Sequence, residues 1–176
     1  MGSIYLIRHG QASFGADDYD MLSPLGVHQA QVVGQHLVDL DLRFDRCISG
    51  DLLRQQDTAR HALAQFTAAG LPVPAHEIDP AFNEFDAFAV LGALLPGLLP
   101  DEPDAITAMN NAAHNPAEFQ RIFELIIARW LSSTYDTPEL ETWLGFVERV
   151  QAGLNRILDL ARNQQTIAVF TSGGTI

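Results

Sequence analysis

The chain has 176 residues, 47% of them hydrophobic, and a mean hydropathy of +0.05, values that point to one globular domain with a proper core. A formal charge of −12, with ten arginines and no lysine, sets the average surface against nucleic acid and anionic membrane. Cys47 stands alone, which excludes an internal disulfide, argues against a thiolate metal cluster and fits the reducing cytoplasm.

Met1-Gly2-Ser3 leads into the first predicted strand without a basic start or a cleavage site, so export is not expected. That strand runs from Ser3 to Arg8 over the apolar stretch Ile4-Tyr5-Leu6-Ile7. Ser23 as N-cap and Pro24 at the first helical position open a helix to about Leu40. Phe44 to Ile48 reads as a second strand, in which Cys47 is a buried inert thiol, followed by a helix from about Leu52 to Ala68.

Pro74 to Ile78 gives a short third strand, and Ala87–Leu95, Asp104–His114, Pro116–Ser132 and Pro138–Ala161 carry helical patterns. The uncharged stretch from Ala87 to Pro100 is broken by Gly92, Pro96 and Gly97 and is too short for a bilayer, which needs about 20 apolar residues. It reads as a core helix followed by a turn, or as an apolar pocket wall. Thr166 to Thr171 is strongly β-prone and should be a central strand ending at Ser172-Gly173-Gly174.

Strands alternating with helices predict an α/β fold: a doubly wound, mostly parallel sheet with helices on both faces. The whole of 1–176 is expected to be one domain, with a helical insertion at about 85–137 roofing the active site and choosing the substrate. A further helix is expected after the Gly173-Gly174 turn, beyond Ile176.

Open α/β sheets bind ligands beyond the carboxyl ends of their strands, where Arg8-His9-Gly10-Gln11 falls. An arginine can hold two phosphate oxygens, and a neutral imidazole beside it can attack phosphorus. Arg54 follows the second strand, Asn83-Glu84-Phe85 the third, and Ser172-Gly173-Gly174 the last, where glycines let backbone N–H groups approach an anion.

This ordered set resembles the histidine phosphatase superfamily, in its phosphoglycerate-mutase-like branch. The likeness rests on Arg8-His9-Gly10, on Ser49 to Ala59 as Ser-x-x-x-x-Arg-x-x-x-Thr-Ala, on Glu84, on the late Gly-Gly, and on Leu22-Ser23-Pro24-Leu25-Gly26 opening the first helix. The resemblance implies that His9 is the nucleophile that becomes phosphorylated and that Arg8 and Arg54 hold the phosphate, each charge-assisted contact being worth about 1.5–3 kcal/mol. Gly10 and Gln11 would add phosphate hydrogen bonds, and Gly173 backbone to the anion. Glu84 would be the general acid, shielded from water by Phe82, Phe85 and Phe88; Asp86 and Glu77 are rivals that fit the pattern less well. No cofactor or metal is implied, and no metal-ligand spacing links His28, His36 and His61, which read as structural.

Ser172 departs from the pattern, because it stands where the superfamily has a second histidine that donates to phosphate. A neutral hydroxyl donor in place of an imidazolium implies a loss of about tenfold or more in rate, unless another donor such as His114 or Thr171 compensates. Ser172→His should then speed turnover. The leading expectation is a metal-independent phosphomonoesterase acting on a small phosphorylated metabolite or phosphopeptide. The alternatives are a low-activity phosphate-binding pseudoenzyme and a phosphoglycerate-type mutase. The acidic loop Asp17-Asp18-Tyr19-Asp20 could face a basic partner or be a solvated loop.

Overall fold

The computed structural model describes residues 2–13, 20–135 and 137–176. Four strands form one sheet among these residues: β1 (Ser3–Arg8), β2 (Arg46–Ser49), β3 (His76–Ile78) and β4 (Thr166–Thr171). The order is β1-β4-β2-β3 and every pairing is parallel, with Leu6 opposite Val169 and Ile48 opposite the same residue. Parallel neighbours need crossovers, which α1 (Pro24–Asp39) and α2 (Leu53–Ala68) supply. Ser23 caps α1 by accepting the Gly26 N–H, with Pro24 at the first helical position.

Two-residue periodicity assigns the faces of the sheet. Cys47, Ala168 and Phe170 pack with Leu37, Ala59 and Phe66 from α1 and α2. Ile48, Ile167 and Val169 point the other way and pack with Phe82 and Ile157, the latter from α6 (Trp143–Ala161). Burial, with a contribution from the Glu77 charge, pushes the Cys47 thiol up to about 12, so it is an inert core side chain.

The chain divides into two compact units, residues 1–84 with 149–176, and residues 85–148. The second holds α3 (Ala87–Leu98), α4 (Ala105–Asn110), α5 (Pro116–Leu131) and the first residues of α6. Its core includes Val90, Leu94, Ile122, Ile126 and Trp130, with the Phe85 ring tilted against Trp130 at 4.7 Å between centroids. No helix among the described residues is long and apolar enough to cross a membrane.

Several helix limits differ from those predicted. α3 continues through Pro96 to Leu98 instead of turning there, because proline forfeits one hydrogen bond close to the helix end while Leu98 remains buried. α4 is shorter than Asp104–His114, since the Asn115 side chain is used to cap α5 through the Glu118 N–H. α6 begins at Trp143 and not at Pro138. The Thr142 hydroxyl accepts the Gly145 N–H at 3.0 Å, and the Glu141 carbonyl is held at 2.8 Å by the Trp130 indole N–H.

Candidate active site

β1 ends at Arg8, and the His9 N–H still reaches the Thr171 carbonyl at 2.8 Å, so the imidazole is set by the sheet itself. Gly10 then donates its N–H to the Thr58 hydroxyl at 3.1 Å, and Thr58 donates to the Arg54 carbonyl at 2.7 Å one turn earlier on α2. Any Cβ on Gly10 would collide with the Gly26 carbonyl, so only glycine lets the segment lie this close to α1. Gln11 is tied to the start of α1: its N–H donates to Gln29 Oε1 and its Oε1 accepts from the Ser23 hydroxyl, both at 2.8 Å.

The His9 ring has Nδ1 2.6 Å from the Gly10 carbonyl and Nε2 3.3 Å from Arg54 Nε. A carbonyl can only accept and a guanidinium can only donate. The compatible species is therefore neutral imidazole with its proton on Nδ1 and a lone pair on Nε2. Burial, and then the positive charges of Arg54 and Arg8, hold His9 below the usual histidine value, against the Gly10 carbonyl and Asp20, which raise it. That is the form a nucleophile needs.

Arg54 is only 9% exposed, and its Nη1 meets Asp20 Oδ1 at 2.6 Å. Asp20 also accepts the Leu53 N–H at 2.7 Å through Oδ2. It is thus a paired side chain; Asp17, Asp18 and Tyr19, the rest of the acidic stretch, lie outside the described residues.

The glycine turn after β4 brings the remaining groups together. The Arg8 side chain passes beside Gly173, on which a Cβ would lie 3.4 Å from Arg8 Nε. Gly174 donates its N–H to Glu84 Oε2 at 2.9 Å, and a Cβ there would collide with the carboxylate. Asn83 sets the position of Glu84. Its Oδ1 accepts the Asp51 N–H at 2.8 Å, and its carbonyl accepts from Arg149 and from the Thr175 hydroxyl, each at 3.1 Å. Arg149 also binds the Pro80 and Ala81 carbonyls, closing the turn that precedes the acid.

Other expected residues have different surroundings. Ser172 is 0% exposed, and its hydroxyl accepts from Gln55 Nε2 at 2.8 Å. Gln55 Nε2 donates as well to the Phe82 carbonyl, to which Thr171 gives its own hydroxyl proton at 2.6 Å. The Phe82 ring lies in the core below the sheet, Phe85 in the aromatic cluster of the second unit, and Phe88 is 64% exposed. Asp86 caps α3 and Glu77 pairs with Arg46, structural roles for both rivals of Glu84. Arg8, His9, Gly10 and Gln11 line a cavity of about 600 Å³ that runs along α1 past Gln29 and Val33; Arg54 and Glu84 are not among its lining.

Asp20, Thr58, Gln55 and Arg149 support the site without a role of this kind having been read from the sequence, where Asp20 stands out only as part of an acidic loop. Thr58 alone left a signal, as the Thr of the Arg-x-x-x-Thr spacing that puts it one helical turn from Arg54.

Residues 4–124 match the profile of the histidine phosphatase superfamily (branch 1), more than half of the chain. The mitochondrial serine/threonine-protein phosphatase Pgam5 of Drosophila virilis is 28% identical over 137 residues, 75% of this chain and 44% of that protein. The 2,3-bisphosphoglycerate-dependent phosphoglycerate mutase of Allorhizobium ampelinum is 35% identical over 92 residues, 48% of this chain and 42% of that one. The chain spans less than half the length of the curated relatives it matches. The crystal structure of phosphoglycerate mutase from Bacillus anthracis superposes with a TM-score of 0.60 at 21% identity, over 98% of this chain and 75% of that one, and so shares its fold. Matching profile, sheet topology and the ordered Arg-His-Gly, Arg and Glu positions agree: the chain belongs to the histidine phosphatase superfamily, branch 1.

Proposed function

We propose that the protein is a phosphomonoester hydrolase that works through a phosphohistidine on His9, with a small phosphorylated metabolite or phosphopeptide as substrate. Membership of the superfamily, with relatives named as phosphatases and mutases, supports phosphoryl-transfer enzymology in general. The observation that carries the finer reading is the His9 ring, whose Nδ1–H is anchored on Gly10 and whose Nε2 lies against the Arg54 guanidinium.

In this reading Arg54 and Arg8 hold the non-bridging oxygens of the phosphate. The Nε2 lone pair bonds to phosphorus while the bond to the ester oxygen breaks. That oxygen keeps the bonding pair and takes the proton of the Glu84 carboxyl. Glu84, now a carboxylate, removes a proton from water as the water oxygen bonds to phosphorus. The N–P bond breaks, its electron pair returns to Nε2, and inorganic phosphate leaves. No metal or cofactor enters these steps, and the lone buried Cys47 fits action in the cytoplasm.

A second reading, a slow phosphate-binding module, is favoured by one observation: the Ser172 hydroxyl is sealed from solvent against Gln55. Purified protein with p-nitrophenyl phosphate separates the two. The hydrolase reading expects steady turnover, acid-labile phosphate on His9, and loss of both in a folded His9→Ala variant. Slow release of that phosphate supports the binding module, and transfer to 3-phosphoglycerate supports a mutase. A His9→Ala variant as fast as the parent overturns the nucleophile assignment.

A further inference from the structure

The geometry points to Asp20 as the positioning residue that aims Arg54 at the His9 nucleophile and sets the charge balance around its ring. This rests on the phosphohistidine reading of the site, to which it adds a residue that touches neither the phosphorus nor the leaving group.

Asp20 meets the start of α2. The N-cap of this helix, Leu52, offers no side-chain acceptor, yet the first helical N–H, that of Leu53, is satisfied at 2.7 Å by Asp20 Oδ2 from 33 residues upstream. A carboxylate is well suited to a helix N-terminus, where the peptide dipoles leave partial positive charge. The other oxygen, Oδ1, is 2.6 Å from Arg54 Nη1. One carboxylate therefore grips the backbone of residue 53 and the side chain of residue 54.

An arginine side chain has four rotatable bonds, and a guanidinium that must meet a phosphate and an imidazole together gains from having its plane fixed beforehand. In the structure Arg54 Nη1 is committed to Asp20 and Nε to His9 Nε2. With Nη1 held, rotation that would swing Nε away from His9 breaks a charge-assisted contact between groups that are 10% and 30% exposed.

Asp20 acts on the ring as well. Among the described residues, the charged groups that act on His9 are Arg8 from β1, Arg54 from α2 and Asp20 from the loop before α1. Both arginines favour neutral imidazole and Asp20 opposes them. Removing the Asp20 charge should therefore make His9 harder to protonate, although it weakens catalysis. A residue needed only for folding would not do this.

Asp20→Asn separates the two roles, because asparagine is a good helix cap and its Oδ1 can still accept from Leu53, while its NH2 then faces Arg54 Nη1 donor to donor. We expect the variant to melt close to the parent, to lose about a hundredfold in kcat/KM for p-nitrophenyl phosphate and to bind vanadate correspondingly more weakly. The His9 ring proton resonance, followed by NMR against pH, should titrate at lower pH than in the parent. Unchanged vanadate affinity together with an unchanged His9 titration would overturn the assignment. The titration is read without turnover. A parent that hydrolyses nothing therefore counts against the phosphohistidine reading, and an unshifted Asp20→Asn titration counts against this one.

Discussion

The Gly174 N–H donates to Glu84 Oε2 at 2.9 Å, so the turn after the central strand holds the candidate acid by its backbone. Glu84→Gln keeps a carbonyl oxygen for that bond and removes only the proton chemistry. An alkoxide leaving group needs the proton of Glu84, whereas p-nitrophenolate leaves without it. We therefore expect a fall of about 10²–10⁴-fold with an alkyl phosphate. With p-nitrophenyl phosphate we expect a burst of one nitrophenolate per enzyme followed by slow turnover, as water attack on the phosphoenzyme loses its base. Stopped-flow absorbance checks this. Equal losses with both substrates and no burst would assign the proton transfers to another group.

Stability should fall on the acid side of neutrality because two histidines are harder to protonate in the fold than in the unfolded chain. Burial first, then nearby arginines, lowers His9 and His76 from their ordinary 6.5, and His76 Nε2 also lies 2.8 Å from the Ser49 hydroxyl. Below 6.5 the unfolded chain binds protons that the folded chain does not, so stability declines as pH falls through the lowered folded values. Above 6.5 these two groups contribute no slope. Urea midpoints between about pH 7.5 and about pH 5 should drop in the parent and drop less in His76→Gln. Identical slopes in the two proteins would remove His76 from the account.

The parts of this fold that sequence made legible are those set by local chemistry. Thr166–Thr171 is an uninterrupted β-prone run, and Ser23-Pro24 carries both the cap and the first helical residue of α1. Arg8, His9 and Arg54 could be picked out because each follows a strand on a chain poor in basic residues. Asp20 and Arg149 could not. A carboxylate that reaches 34 residues along the chain to Arg54, and an arginine that reaches the Asn83 carbonyl 66 residues back, leave no periodic trace on their own elements. Nor does nearness in sequence say where a ring packs: the Phe82 ring lies in the sheet core and the Phe85 ring against Trp130.

Burial also changes what Ser172→His should do. The family resemblance implies that a histidine there donates to phosphate directly, but Ser172 has no exposed surface and Gln55 fills the space beside it. The Phe82 carbonyl can only accept, which fixes Gln55 with Nε2 toward Ser172 and leaves the buried Gln55 Oε1 without a partner among the described residues. An imidazole added to this space is overpacked, at a cost of about 1–3 kcal/mol. Ser172→His alone should therefore melt earlier than the parent and show little gain in kcat. Adding Gln55→Ala removes the obstructing amide and its unpaired oxygen, and the double variant should recover stability and turn over about tenfold faster than the parent, as expected for a charged donor at the phosphate. Calorimetry and p-nitrophenyl phosphate kinetics on both variants test this. A single variant that is faster at unchanged melting temperature would mean that the imidazole finds the site without displacing Gln55.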